Sequence, residues 1–184
     1  MLRIDWIRHT SLDITGAICY GQTDLKVSAT FSEEAEVVRQ KLSGHRYDAV
    51  FTSPLSRAED LCIFSGYGDI AIREPRIMER AFGEWEMKPW AEVFALMKEN
   101  PQKYVDSNGE AIPPSGETVD ELIHRVRAFV LEVRRQRYHR VAIFCHGGVI
   151  NSARFCQGLI ELDKLFVGVP EYGSVTTLEY AHLE

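Results

Sequence analysis

Two hydrophobic rhythms alternate along this chain. Short, nearly unbroken apolar runs occur at Leu2 to Ile7, "YDAVFTS" (47–53), "DIAIRE" (69–74), "RVAIFC" (140–145) and "SVTTLEY" (174–180). These read as strands, and 140–145 is apolar on both faces, as buried parallel strands are. Between them the spacing turns helical. "TFSEEAEVVRQKLS" (30–43) sets Phe31, Ala35, Val38 and Leu42 on one face. Thr30 or Ser32 can cap its start, glutamates occupy its first turn, and Gly44 stops it. After the second strand, Pro54 suits a first helical position behind a serine, and Ala58, Leu61 and Cys62 share a buried face. "WAEVFALMKEN" (90–100) predicts a helix ended by Pro101. Over 117–137, Val119, Leu122, Ile123, Val126, Phe129, Val130 and Val133 form one stripe, with Ser115 or Thr118 as cap and Glu117 in the first turn. A last helix is expected over 149–158.

Strands alternating with helices predict an α/β fold: a three-layer α/β/α sandwich around a mostly parallel central sheet. In such sheets ligands bind beyond the carboxyl ends of the strands. Three predicted strands end in chemically capable residues: Arg8-His9-Thr10, Thr52-Ser53-Pro54 followed by Arg57, and His146-Gly147-Gly148. If these strands are parallel neighbours, all three clusters meet at one sheet edge.

Composition narrows the classes. A chain of 184 residues fits one domain, 1–184, and buries about 70% of its unfolded surface without needing a staple. The net charge of −6 argues against nucleic-acid binding through bulk charge, but a local pocket can still be positive. Arg3, Asp5 and Arg8 interrupt the first ten residues, and the chain has no run of about 18 apolar residues, so neither a signal peptide nor a membrane span is expected. A cytoplasmic protein is the resulting expectation. A monomer and a homodimer are both compatible with it. Cys19, Cys62, Cys145 and Cys156 show no CxxC pairing and are expected to be buried thiols.

Taken singly, a histidine after a strand is a loop residue, Arg57 a solvated arginine and Glu79 a surface carboxylate. Together, two histidines and two arginines at one sheet edge make a cationic pocket suited to phosphate, because the arginine fork matches its oxygens. The Gly147-Gly148 pair lets backbone approach a ligand, and a helix starting there offers free N–H donors. A neutral imidazole can attack phosphorus and split hydrolysis into two steps. Arg8, Arg57 and His146 can each hold an equatorial oxygen of the transition state. Glu79, in "IMERAFGEWE" beside Phe82 and Trp85, is the candidate proton donor. No DxD cluster or histidine spacing suggests a metal, so neither metal nor cofactor is expected.

These residues resemble the histidine phosphatase superfamily, also called the phosphoglycerate-mutase-like fold. "IRHT" is similar to its strand-end Arg-His motif, "FTSPLSRAEDL" to its Ser-Pro-x-x-Arg segment, "IMERAFGEWEM" to its glutamate loop and "FCHGGVIN" to its second-histidine motif. Leu61 stands where threonine is common, and Met87-Lys88 where glycine is common. The resemblance implies His9 as the phosphorylated nucleophile, Arg8, Arg57 and His146 as the clamp, and Glu79 as proton donor and later base. It adds Thr10 and Gly147 to the phosphate pocket. "RHTSLDITGAICYGQTDLKVS" and "PPSGETVDELIHRV" are similar to the α-ribazole-5′-phosphate phosphatase branch, and place Tyr20 and Gly21 on the wall beside the phosphate. That branch implies hydrolysis of α-ribazole 5′-phosphate in cobalamin nucleotide-loop assembly. A phosphatase or mutase for phosphoglycerate or sugar phosphates, and a non-catalytic phospholigand module, are the rival expectations. Residues 80–115 are expected to form a lid that sets leaving-group specificity.

Overall fold

The computed structural model describes residues 1–183. The sheet has five strands: β1 (Leu2–Arg8), β2 (Ala49–Thr52), β3 (Ile72–Arg73), β4 (Arg140–Cys145) and β5 (Val175–Tyr180). Their order is β3-β2-β4-β1-β5; β1 to β4 run parallel, and β5 lies antiparallel against β1. Helices cover both faces, giving the expected sandwich. Strand alternation divides the core accordingly. Ile4 and Trp6 of β1 and Val141, Ile143 and Cys145 of β4 pack with α5 (Val119–Arg135) and α6 (Gly147–Cys156). Ile7, Ala142 and Phe144 point the other way, onto α1 (Phe31–Leu42) and α2 (Ser56–Phe64).

Several boundaries differ from expectation for local reasons. α2 starts at Ser56 rather than Pro54, because Ser53 Oγ accepts the Leu55 N–H (3.3 Å) and turns the chain before the helix. α5 starts at Val119, where Thr118 and Glu121 form a reciprocal capping box. Glu117 lies ahead of that helix, and Ser115 sits at φ 57°, outside cap geometry. Pro101 ends α3 (Trp90–Glu99) but also opens a short α4 (Pro101–Tyr104). α6 begins two residues early, at Gly147, since His146 itself is the extended N-cap residue. β3 is reduced to two residues because Ile70 and Ala71 fold back to the Tyr67 carbonyl. Cys156 is exposed, unlike the other three cysteines, because it ends α6 on the solvent side.

One buried charge lies inside a run that reads as apolar. Asp5 accepts hydrogen bonds from Arg140 Nε (2.8 Å), Tyr47 Oη (2.8 Å) and Thr177 Oγ1 (2.6 Å), tying β1 to β4 and β5. Burial alone would raise its pKa, but these donors outweigh it and hold the carboxyl below its usual range. Among the described residues no helix is long and apolar enough to cross a membrane.

Candidate active site

Register brings the predicted clusters together. Arg8 of β1 lies opposite Cys145 of β4, and Thr52 of β2 opposite Phe144, so His9, His146 and Ser53 leave the sheet side by side. The two imidazoles are buried, with ring centroids 5.3 Å apart.

A hydrogen bond defines the tautomer of His9. The Thr10 carbonyl can only accept, so His9 Nδ1–H donates to it (2.8 Å) and the ring's lone pair sits on Nε2. Ser53 Oγ accepts the Leu55 N–H and shares a 2.7 Å bond with His146 Nε2. A hydroxyl both donates and accepts, so this bond fits the ring proton of His146 on either nitrogen; where Ser53 donates to Nε2, the proton is on Nδ1. Burial, and next to it the charge of Arg57, pushes both histidines well below the usual pKa, so both are neutral near pH 7.

Arg57 is fully buried at the start of α2. It donates through Nη2 to the Gly21 carbonyl (2.5 Å) and through Nη1 to the Thr23 carbonyl (2.8 Å). Arg8 donates through Nη1 to the Pro170 carbonyl (2.5 Å). Four buried polar atoms around the two rings lack any protein partner: Arg8 Nε, Arg57 Nε, Thr10 Oγ1 and His146 Nδ1. Arg8 Nε, Arg57 Nε and Thr10 Oγ1 can each donate a hydrogen bond, and His146 Nδ1 does so in the tautomer in which Ser53 donates to Nε2. Buried orphan donors of this kind are uncommon, and a tetrahedral oxyanion supplies acceptors to all of them.

Glu79 sits half-buried above the start of α6. Its carboxylate accepts from Gly148 N (3.0 Å) and Arg80 N (2.9 Å). A side chain at 148 would collide with that carboxylate and come within 2.8 Å of the Phe166 ring, which is why glycine is needed there. The Gly148 N–H expected to face an anion thus binds Glu79. Gly147 lies against Val169 and Arg8 Nε. Gly21 serves Arg57 through its carbonyl and has no room for a Cβ against the Arg80 carbonyl. Tyr20 is on the wall, its ring 5.5 Å from the Arg57 guanidinium carbon.

Three supports carry no motif-level assignment. Glu86 accepts from Gln22 N (3.0 Å), Thr23 N (2.6 Å), Thr23 Oγ1 and Phe82 N (3.1 Å), which fixes the loop that receives Arg57. Arg125 of α5 forks onto Glu117 and donates to the carbonyls of Arg76, Met78 and Glu79. Tyr172 lies beside His9 and Arg8. Glu86 and Glu117 stand inside quoted motifs, which is a usable signal. Tyr172 stands in none.

The model of the histidine phosphatase superfamily (branch 1) matches residues 5–183. The chain belongs to this superfamily. As a member it is an enzyme of the phosphatase and mutase group. It is similar to adenosylcobalamin/alpha-ribazole phosphatase of Escherichia coli, 28% identical over 82% of this chain and 76% of that protein. It is also similar to phosphoserine phosphatase 1 of Hydrogenobacter thermophilus, 25% identical over 90% of this chain and 81% of that protein. In fold it matches the alpha-ribazole phosphatase from Shigella flexneri with TM-score 0.82 at 22% identity, covering 97% of this chain and 90% of that one. Among the described residues of this superfamily member, no three His, Cys, Asp or Glu side chains form a metal-ligating group.

Proposed function

We propose that this superfamily member is a phosphomonoesterase working through a phosphohistidine at His9. The observation that carries the reading is the set of buried, unpartnered polar atoms, Arg8 Nε, Arg57 Nε, Thr10 Oγ1 and His146 Nδ1, gathered round an imidazole with its lone pair on Nε2. His9 Nε2 attacks phosphorus and the bond to the ester oxygen breaks. Arg8, Arg57 and His146 hold the equatorial oxygens as charge spreads over them, with Thr10 and Gly147 completing the pocket. Glu79, in its acid form, protonates the departing alkoxide. The resulting carboxylate then takes a proton from water as the water attacks the phosphohistidine, which frees His9 and releases phosphate. Because His9 is neutral, no proton has to be removed before attack.

The preferred substrate in this reading is α-ribazole 5′-phosphate, which places the enzyme in cobalamin nucleotide-loop assembly in the cytoplasm. Support comes from the Cys19-Tyr20-Gly21 stretch, from the E. coli relative's name, and from aromatic faces at both sides of the site, Tyr172 near His9 and Phe166 near Glu79. Planar bases stack on such faces. Residues 80–115 act as the lid.

Rapid mixing with 32P-labelled ester followed by alkaline quench tests the chemistry. Label appears on the wild-type chain and is absent from His9→Ala, which does not turn over; full activity in that variant overturns the mechanism. A kcat/KM panel of α-ribazole phosphate, phosphoserine, phosphoglycerate and sugar phosphates tests the substrate, and equal values across it overturn that part. Orthovanadate inhibits, and EDTA leaves activity intact.

A further inference from the structure

The segment before β5 reaches back over the site. Its backbone is pinned to the end of β1: Gly173 N donates to the His9 carbonyl (3.0 Å) and Arg8 N to the Ser174 carbonyl (3.0 Å). That anchoring carries Tyr172 onto Arg8, whose guanidinium carbon sits 4.1 Å from the ring centroid. The same ring lies 5.5 Å from the His9 imidazole. Its hydroxyl is 2.7 Å from that of Tyr20, and Tyr20 in turn faces Arg57. The side chains form one chain of contacts, Arg8 to Tyr172 to Tyr20 to Arg57, spanning the site from one arginine to the other. Tyr20 is half-buried and Tyr172 is 40% exposed, so the bond between their hydroxyls lies at the mouth rather than in the core. Burial and the bond to Tyr172 raise the Tyr20 pKa, which keeps the Tyr20 hydroxyl protonated near neutral pH.

We propose that Tyr172 is a positioning residue of the phosphate clamp: its ring sets the Arg8 guanidinium, and its hydroxyl, bonded to Tyr20, braces Arg8 against Arg57 across His9. The proposal deepens the phosphomonoesterase reading and rests on it. Both arginines already use Nη donors on loop carbonyls, Pro170 for Arg8 and Gly21 and Thr23 for Arg57. Those bonds fix one end of each fork. The aromatic faces restrict the rest, and stacking holds a guanidinium plane without consuming its donors. Nε of each arginine, buried and without a protein partner, stays available for an oxyanion. A loss of the ring frees the Arg8 guanidinium to rotate, and the clamp loses preorganisation, the property that makes such donors effective in the transition state.

The test measures orthovanadate affinity and the kcat and KM of p-nitrophenyl phosphate for wild type, Tyr172→Leu, Tyr172→Phe, Tyr20→Phe and the double Phe variant. Thermal midpoints are read alongside. Tyr172→Leu weakens vanadate binding about threefold to thirtyfold, the range of a cation–π contact. Most of the catalytic loss falls on kcat, since the clamp acts on the transition state. Tyr172→Phe keeps the ring and loses only the brace, about twofold to tenfold. The double Phe variant is no worse than either single one, because each already removes the same hydroxyl pair. Wild-type vanadate affinity in a folded Tyr172→Leu, or a loss that follows the thermal midpoint alone, overturns the proposal. Additive losses in the double variant overturn the brace, and these conservative variants decide it even if the Leu variant does not fold. Failure of the underlying reading shows separately, as a wild type that neither binds vanadate nor hydrolyses the ester.

Discussion

His9 and His146 are both buried beside Arg57, and burial and that neighbouring charge both disfavour the imidazolium. The folded pKa values therefore lie well below 6.5, while the unfolded chain regains the ordinary one. A depressed group contributes stability that is complete above its unfolded pKa and is lost as pH falls toward the folded value. The window opens at about pH 6.5 and extends downward, above the range in which Asp5 and Glu86 lose their charge. In that window each histidine removes about 1.4 kcal/mol per pH unit. His146→Asn keeps a polar side chain of similar reach and cannot titrate. Denaturant unfolding from about pH 7.5 to about pH 5.5 is expected to cost the wild type about 1.4 kcal/mol more than this variant. Parallel profiles would show that His146 does not stay neutral in the folded protein. Glu86 illustrates the opposite balance. Burial raises its pKa, yet hydrogen bonds from Thr23, Gln22 and Phe82 prevail and hold it below its usual range, so it remains an acceptor throughout the working pH range.

At the scale of elements, the glutamate loop owes its place to α5. Arg125 donates to the carbonyls of Arg76 (2.7 Å), Met78 (2.7 Å) and Glu79 (3.0 Å) while forking onto Glu117 (2.5 and 2.9 Å). A 3-10 turn at Pro75–Ile77 and the extended residues after it have little regular structure of their own, so these bonds aim Glu79 at the sheet edge. Arg125→Met takes their Arg125 donor from the Arg76 and Met78 carbonyls and the charged partner from Glu117, while the Glu79 carbonyl keeps only Gln22 Nε2 (3.0 Å). We expect a stability loss of about 2–4 kcal/mol and a fall in kcat of roughly tenfold or more, read by denaturant melts and steady-state kinetics. Arg125→Lys restores the charge without the fork and recovers little; full recovery would mean that charge alone positions the loop. The elements themselves were legible in the sequence wherever the pattern was local. The stripe from Val119 to Val133 and the runs at 2–7 and 140–145 depend on spacing within one segment. Asp5, Glu86 and Tyr172 escaped assignment because their partners are remote: Asp5 needs Arg140 and Thr177, Glu86 needs Thr23, and Tyr172 needs Arg8 and Tyr20. β3 is shorter than its apolar run because Ile70 and Ala71 bond back to the Tyr67 carbonyl, a turn that the apolar pattern does not encode.

For the molecule as a whole, the sheet edge was legible because three strand ends carried complementary chemistry, while the internal packing of residues 80–115 was not, because its partners are remote in sequence. Residues 80–115 build a small core of their own from Phe82, Trp85 and Val93, closed by Cys19 and packed against Trp90, Met97, Tyr104 and Ala111. It is separate from the two clusters on the faces of the sheet. Backbone bonds stitch it to the loop after β1: Cys19 N to the Lys88 carbonyl (2.8 Å) and Met87 N to the Cys19 carbonyl (2.7 Å). A unit with few buried residues and its own contacts opens at lower free energy than the central sheet. Trp85, at 1% exposure, is its largest buried side chain. Trp85→Ala removes about 3–5 kcal/mol of packing from this unit, leaving the sheet cores intact. Amide exchange should accelerate across 80–115 and the 17–21 loop, with β1 and β4 still protected. If the unit selects the leaving group, kcat/KM values for large and small esters converge in this variant while p-nitrophenyl phosphate is still hydrolysed. Loss of protection spread evenly over β1 and β4 would show instead that this unit and the sheet open together, and an unchanged substrate preference would remove 80–115 from specificity.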